Sequence, residues 1–222
     1  MLYVVLDRAP LEVAKVGKSS SSLQLVTSDD HQSILRKNQR DLSESRPDIV
    51  HQCLMTLLDS PLNKSGNLRL WIRTGKGVLI EVNPRIRIPR TWNRFAGLMA
   101  QLLTKLSIRT ASAGAESSSG PGEVLMNVIR NPLEDHLPQG ALRVGLTEAQ
   151  VGKAQGRFDE YLKGRGDWSV EKPVVVWIGA VAKGEDVFPE AEVKLAISEF
   201  ALSASVVCGK VCEAMERLYG IF

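Results

Sequence analysis

Cysteine is scarce in this chain of 222 residues: Cys53, Cys208 and Cys212 are all it has. An odd number at no framework spacing excludes a small disulfide-stapled fold and points to reduced thiols. Histidine is equally sparse, at His31, His51 and His136. Cys208 and Cys212 stand one helical turn apart inside an apolar pattern, but no second ligand pair has the matching spacing, so no metal site is expected. No apolar run approaches the roughly 18 residues of a membrane span, and the opening MLYVVLDRAPLEV meets Asp7 and Arg8 too early for a secretory signal. A soluble, intracellular protein without a membrane partner is the expectation. No serine or cysteine has a recognisable base partner for nucleophilic chemistry, and there is no G-x-G-x-x-G fingerprint of a dinucleotide fold. A large excess of one charge is missing too: 28 Lys and Arg face 25 Asp and Glu, for a net +3. Any preference for nucleic acid must therefore come from local clustering.

What is present is ample apolar material, 44% of the chain, enough for a core of one large domain or two small ones. Leu2 to Leu6 and Val174 to Ile178 (VVVWI, after Pro173) are short apolar runs of strand length, suited to strands buried on both faces. His51 to Leu58, Phe95 to Leu106 and Val206 to Leu218 carry apolar residues at spacings of three and four, which predicts helices. Leu68 to Ile72 and Val78 to Val82 flank Thr74-Gly75-Lys76-Gly77, a hairpin turn. Strands mixed with long helices indicate an α/β class with a largely parallel central sheet. Lys18 to Ser22 (KSSSS) and Thr110 to Gly122 (TASAGAESSSGPG) are loop compositions, the second expected to be mobile. Neither divides the chain and no internal repeat occurs, so residues 1–222 are expected to form one domain with a mobile loop at 110–122.

One stretch breaks the even charge balance. Residues 85–94, RIRIPRTWNR, hold four arginines and no acid. Pro89 keeps Ile88 extended, and Thr91 is placed to cap a helix running through Phe95 and Leu98. Arg90 and Arg94 then lie four apart near a positive helix end, with Arg87 on the loop before them; all three are available to one phosphate-bearing strand. Arginine's planar fork suits RNA phosphates and bases. A solvated, partly salt-bridged helix start accounts for the same residues. Upstream, Arg46-Pro47-Asp48 offers an arginine steadied by a carboxylate, or simply a surface ion pair worth under about 1 kcal/mol. Gly179-Ala180-Val181-Ala182-Lys183-Gly184 leaves the VVVWI strand where glycines let backbone approach a ligand at the carboxyl edge of a sheet. Further on, ISEFAL (Ile197 to Leu202) precedes Ser203-Ala204-Ser205, small residues that open the last helical pattern or merely permit tight packing. Asp59 and Asp186 are conceivable proton acceptors; Asp59, in Asp-Ser-Pro, equally suits a turn.

Taken in order, Asp29-Asp30-His31-Gln32 with Ile34 to Lys37, RPDIVHQCL (Arg46 to Leu54), LLDSPLNKSG (Leu57 to Gly66), LIEVNPRIRIPRTWNRFAGLM (Leu79 to Met99) and LSASVVC (Leu202 to Cys208) resemble one family. It is the pseudouridine-N1 methyltransferase family of small-subunit ribosome biogenesis, within the SPOUT superfamily. The resemblance covers nearly the whole chain apart from the serine-rich loops.

It implies an α/β SPOUT-type fold, a mostly parallel sheet flanked by helices, with a C-terminal trefoil knot that periodicity alone does not reveal. It also implies S-adenosylmethionine as cofactor, small-subunit rRNA as substrate, a homodimer, pre-ribosomal assembly proteins as partners, and residence in the nucleolus, or the cytoplasm were the source archaeal. Carried over by position, rRNA contacts fall on Arg46, Arg87, Arg90 and Arg94, with Asp48 orienting Arg46. Cofactor contacts fall on Leu146, Gly179, Gly184 and the segment Ile197, Ser198, Glu199, Phe200, Ala201, Leu202. The chain departs from the family where S-N-Y-P-L is common, having Ser198-Glu199-Phe200-Ala201-Leu202, and Lys183 stands where arginine is frequent. No catalytic base is assigned. The rival expectation is a non-catalytic RNA-binding assembly factor of the pre-ribosome; a small-molecule enzyme would leave the arginine cluster without work.

Overall fold

The computed structural model describes residues 1–16, 23–110, 122–148, 156–184 and 187–222. Lys18 to Ser22, residues 111–121 of the expected mobile loop, and Asp186 lie outside the described residues. Along the chain run β1 (Leu2–Ala9), β2 (Val13–Lys15), β3 (Leu23–Leu25), α1 (Gln32–Lys37), α2 (Pro47–Asp59), α3 (Pro61–Lys64), β4 (Leu68–Thr74), β5 (Leu79–Val82), α4 (Trp92–Lys105), β6 (Ser107–Arg109), β7 (Val124–Ile129), β8 (Leu142–Leu146), α5 (Phe158–Lys163), β9 (Val174–Gly179), β10 (Val193–Leu195) and α6 (Ala204–Tyr219). Both apolar runs are strands, the three apolar-periodic stretches are helices, and Leu68 to Val82 is a hairpin, closed by Thr74 N–H on the Val78 carbonyl at 2.9 Å.

Eight strands form one sheet in the order β10-β8-β9-β1-β4-β5-β7-β6. From β10 to β4 every pairing is parallel, and from β4 to β6 every pairing is antiparallel. The change of direction has a local cause, because the β4–β5 hairpin turn leaves too few residues for a crossover. β1 and β9 are central, which is why their sequences run apolar without alternation. Leu2, Val4 and Leu6 point into a core built with the buried residues of α2, α4, α5 and α6. Val5, Val175 and Trp177 point the other way, under Leu133, Leu137 and Phe188.

Helix α2 starts four residues before its periodic stretch, because Pro47 occupies the first helical position with Asp48 in the first turn. Its buried Val50, Cys53, Leu54, Leu57 and Leu58 form one stripe that packs against α6. Gly145 on β8 is required by packing: a Cβ there would fall 2.6 Å from the Phe188 ring. Among the described residues no helix is long and apolar enough to cross a membrane.

All three cysteines are buried and free, at the α2–α6 contact. Burial pushes the Cys208 thiol well above its ordinary value and Cys212 up to about 12. Few thiolates of Cys208 and Cys212 exist at pH 8, so in the native protein both should react with a thiol reagent far more slowly than in the urea-unfolded chain; rapid labelling of native Cys208 or Cys212 would contradict this packing.

Candidate cofactor cavity and arginine loop

A cavity of about 380 Å³ opens at the carboxyl ends of β8 and β9. That is the edge of a parallel sheet where ligands bind, and the volume lies in the range of small-molecule sites. Its wall combines Leu146 at the end of β8 with Thr147 just beyond it, Ile178 and Gly179 at the end of β9, and Val181 to Gly184 on the following loop. Opposite stand Ile197, Ser198, Phe200 and Leu202, then Ser203 to Ser205 at the start of α6. Of the expected cofactor positions, Leu146, Gly179, Gly184, Ile197, Ser198, Phe200 and Leu202 line this one space; Glu199 and Ala201 do not, and are exposed beside it. Strand β10 does the assembling, since its parallel pairing with β8 (Leu195 beside Leu146) brings the Ile197–Leu202 segment next to the glycine loop.

The lining suits a ligand with an apolar body and a few polar groups. Leu146, Ile178, Ile197 and Leu202 supply apolar surface, and Phe200, 77% exposed, stands at the rim. The Thr147 hydroxyl is buried without a hydrogen-bond partner, an acceptor and donor left for something in the cavity. Gly184 has φ +119°, which side-chain-bearing residues avoid, and a Cβ there would meet the Arg8 guanidinium at 3.2 Å. The start of the 16-residue α6 presents free backbone N–H groups that favour a carboxylate. Ser203 occupies the cap position there, but its side chain makes no cap bond to the helix.

Arg46 reaches the same cavity from the start of α2, accompanied by Ile49 and Gln52. Its Nε and Nη2 donate to Asp48 Oδ1 and Oδ2 at 2.8 and 2.7 Å, a two-pronged pair that fixes the guanidinium and raises its already high pKa. The Arg46–Asp48 pair thus holds the guanidinium beside the cavity, with the two side chains 43% and 35% exposed.

Arg87, Arg90 and Arg94 do not line this cavity. Arg87 and Arg90 border a separate depression with Asp59 and Lys64, at the far end of α2. Thirteen helical residues place the two ends about 20 Å apart. Before Pro89, Ile86 and Ile88 pack toward the core, while Arg85, in the preceding turn, and Arg87 are exposed. Arg94 is exposed in the first turn of α4. Thr91 holds the cap position of α4 in extended conformation, but its hydroxyl makes no cap bond, so the helix start is fixed by other contacts.

Those contacts involve residues that sequence reasoning passed over. The buried His51 donates Nε2–H to the Pro89 carbonyl at 2.7 Å and stacks on Phe95 with ring centres 4.2 Å apart. Buried Asn63 donates to the Leu58 and Pro84 carbonyls at 2.9 and 3.0 Å. The arginine loop is therefore pinned at both prolines from α2 and α3. Asp59 accepts from Arg90 Nη2 at 2.9 Å, well away from the cavity: it is a tether for that arginine. Only the placement of His51 and Asn63 inside RPDIVHQCL and LLDSPLNKSG hinted at this service.

Known proteins resemble this chain in sequence and fold. The family model for EMG1/NEP1 methyltransferase matches residues 4–216. The chain belongs to that family. It is 46% identical over 230 residues to the ribosomal RNA small subunit methyltransferase NEP1 of Candida albicans, covering 100% of this chain and 79% of the relative. It is 44% identical over 220 residues to the human protein of the same name, covering 99% and 82%. Among solved structures, Archaeoglobus fulgidus Nep1 bound to S-adenosylhomocysteine superposes with a TM-score of 0.73 at 27% identity, over 98% of each chain.

Replacing His51 by Phe keeps a ring against Phe95 but leaves the Pro89 carbonyl without its donor. The unfolding free energy measured in urea should fall by about 1–3 kcal/mol; no loss would mean that the His51–Pro89 bond does not hold the arginine loop.

Proposed function

We propose that this chain methylates N1 of a pseudouridine in small-subunit rRNA with S-adenosylmethionine as donor, acting as a homodimer. The observation that carries the reading is the cavity at the β8–β9 edge, lined by seven of the positions expected to hold the cofactor and reached by Arg46 from α2. A family relative of the same fold binds S-adenosylhomocysteine, the product of such a transfer.

When bound, S-adenosylmethionine would supply a sulfonium-activated methyl group for transfer to the substrate nitrogen, leaving S-adenosylhomocysteine. Pseudouridine is joined to ribose through carbon, so its N1 is a free N–H that uridine lacks. The chain's part is to bind, align and exclude water. Leu146, Ile178, Ile197 and Leu202 enclose an apolar ligand body, Thr147 and the α6 N-terminus meet its polar groups, and Arg46 grips the RNA beside it. Base and donor held in line would gain at most about 7–11 kcal/mol from positioning, and the N1 proton passes to solvent water rather than to a dedicated side-chain base. The target lies within a stack or loop and is read by being turned out of it.

Arg87, Arg90 and Arg94 complete the RNA surface in this reading. They lie at the other end of α2 from the cavity in one chain, so a second copy is the means by which they flank the same nucleotide. A threaded C-terminal knot belongs to the same proposal, as do pre-ribosomal partner proteins and a nucleolar location.

Two measurements test it. S-adenosylhomocysteine binding together with methyl transfer to a pseudouridine hairpin, and none to its uridine twin, is the expected result. RNA binding without cofactor binding would leave the assembly-factor reading in its place. Arg87→Ala, Arg90→Ala and Arg94→Ala should each lower the slope of log K against log salt by about one for every phosphate the variant no longer neutralises; three variants with wild-type affinity and slope would remove this surface from the proposal.

A further inference from the structure

Arg73 lies on β4 and does not line the cofactor cavity. Its Nε donates to Asp7 Oδ1 at 2.7 Å and its Nη2 to Asp7 Oδ2 at 2.8 Å. The same guanidinium donates through Nη1 to Glu190 Oε1 and through Nη2 to Glu190 Oε2 at 3.3 Å. One cation thus joins carboxylates 66 and 117 positions away along the chain. The side chains are 21% exposed for Arg73, 4% for Asp7 and 14% for Glu190, so this is not a loose surface pair. Without the guanidinium, two carboxylates would face each other in largely dry surroundings.

Both carboxylates sit at the roots of the cavity wall. Asp7 lies beside Gly179 in the β1–β9 register, and its carbonyl accepts from the Ala180 N–H at 2.8 Å. Its Oδ1 also accepts from the Arg8 N–H at 2.8 Å. Arg8 has φ +55°, a left-handed conformation that costs a side-chain-bearing residue energy and needs such a bond to persist. That turn brings the Arg8 guanidinium beside Gly184. Ala180 is therefore the near anchor of the chain that supplies Val181 to Gly184 to the cavity. Glu190 is the far anchor, where the chain returns toward β10; two residues on, the Glu192 N–H donates to the Arg143 carbonyl on β8 at 3.0 Å. Beyond β10 come the residues of the opposite wall, Ile197 to Leu202.

We propose that Arg73 is a positioning residue for the methyl donor: by tying Asp7 and Glu190 to β4 it sets the spacing of the two walls of the cofactor cavity. This rests on the reading of that cavity as the S-adenosylmethionine site. A purely structural ion cluster would affect folding alone, whereas a positioning role changes cofactor affinity while leaving RNA affinity intact.

The test compares Arg73→Met, Arg73→Lys and Glu190→Ala in the full chain. Four quantities are read: the dissociation constant of S-adenosylhomocysteine by calorimetry, KM for S-adenosylmethionine against kcat on the pseudouridine hairpin, hairpin affinity, and the unfolding midpoint. In Arg73→Met the dissociation constant and KM should rise about tenfold, equivalent to about 1.4 kcal/mol, with kcat and hairpin affinity within about twofold of wild type. Arg73→Lys, which keeps the charge but loses the fork, should fall between. Glu190→Ala frees only the far anchor and should show the same pattern more weakly; it decides the matter if Arg73→Met does not fold. A folded Glu190→Ala protein with wild-type cofactor affinity overturns the proposal, as does a fall in kcat with KM unchanged. Absence of cofactor binding by the wild-type chain instead brings down the reading of the cavity, and this inference with it.

Discussion

The parallel pairing of β1 with β9 is the contact on which the molecule depends. It runs from Leu2 beside Val174 to Asp7 beside Gly179, joining the first strand of the chain to one near its end. The cavity hangs from that seam. β9 delivers its glycine loop at the carboxyl edge, β8 adds its own end from the other side, and β10 docks on β8 to bring in the last wall. The pairing closes a loop of well over half the chain, so its entropy cost is high, and the dry, two-sided burial of Val4, Val5, Val175, Val176 and Trp177 offsets it.

The structure divides labour between polar and apolar groups. Charges carry geometry where they are partly buried and paired: Arg46 with Asp48, Arg73 with Asp7 and Glu190. Exposed arginines on the loop at 85–94 are held through the backbone instead, by His51 and Asn63 on the Pro89 and Pro84 carbonyls. This leaves Arg87 and Arg94 without a carboxylate partner among the described residues, while Asp59 restrains Arg90 by an exposed pair worth under about 1 kcal/mol.

Much of the fold was legible in the residues. Uninterrupted Leu2 to Leu6 and VVVWI marked central strands because burial on two faces removes alternation. Three-and-four spacing marked α2, α4 and α6 because one stripe of each faces the core. What stayed hidden was anything set by long-range pairing: the addition of β7 and β6 beyond the β4–β5 hairpin, the docking of β10, and the reach of Arg73 across to Glu190. Thr147 was likewise invisible, since a lone threonine gains meaning only when its hydroxyl is buried at a cavity wall.

The amino-acid sequence by itself determined the α/β class, the position of its central strands and helices, the glycine loop after VVVWI, the unbalanced run of arginines and, through motif resemblance, the family. Local sterics and hydrophobic periodicity suffice for the elements, and residue type suffices for the chemistry. Tertiary structure decided which of those pieces share a space. Arg46 joins the cavity at Gly179 and Gly184, whereas Arg87 and Arg90 lie at the opposite end of α2. The reason is physical: the length of a rigid helix and the register of parallel strands set those distances, and neither is written in the spacing of residues along the chain.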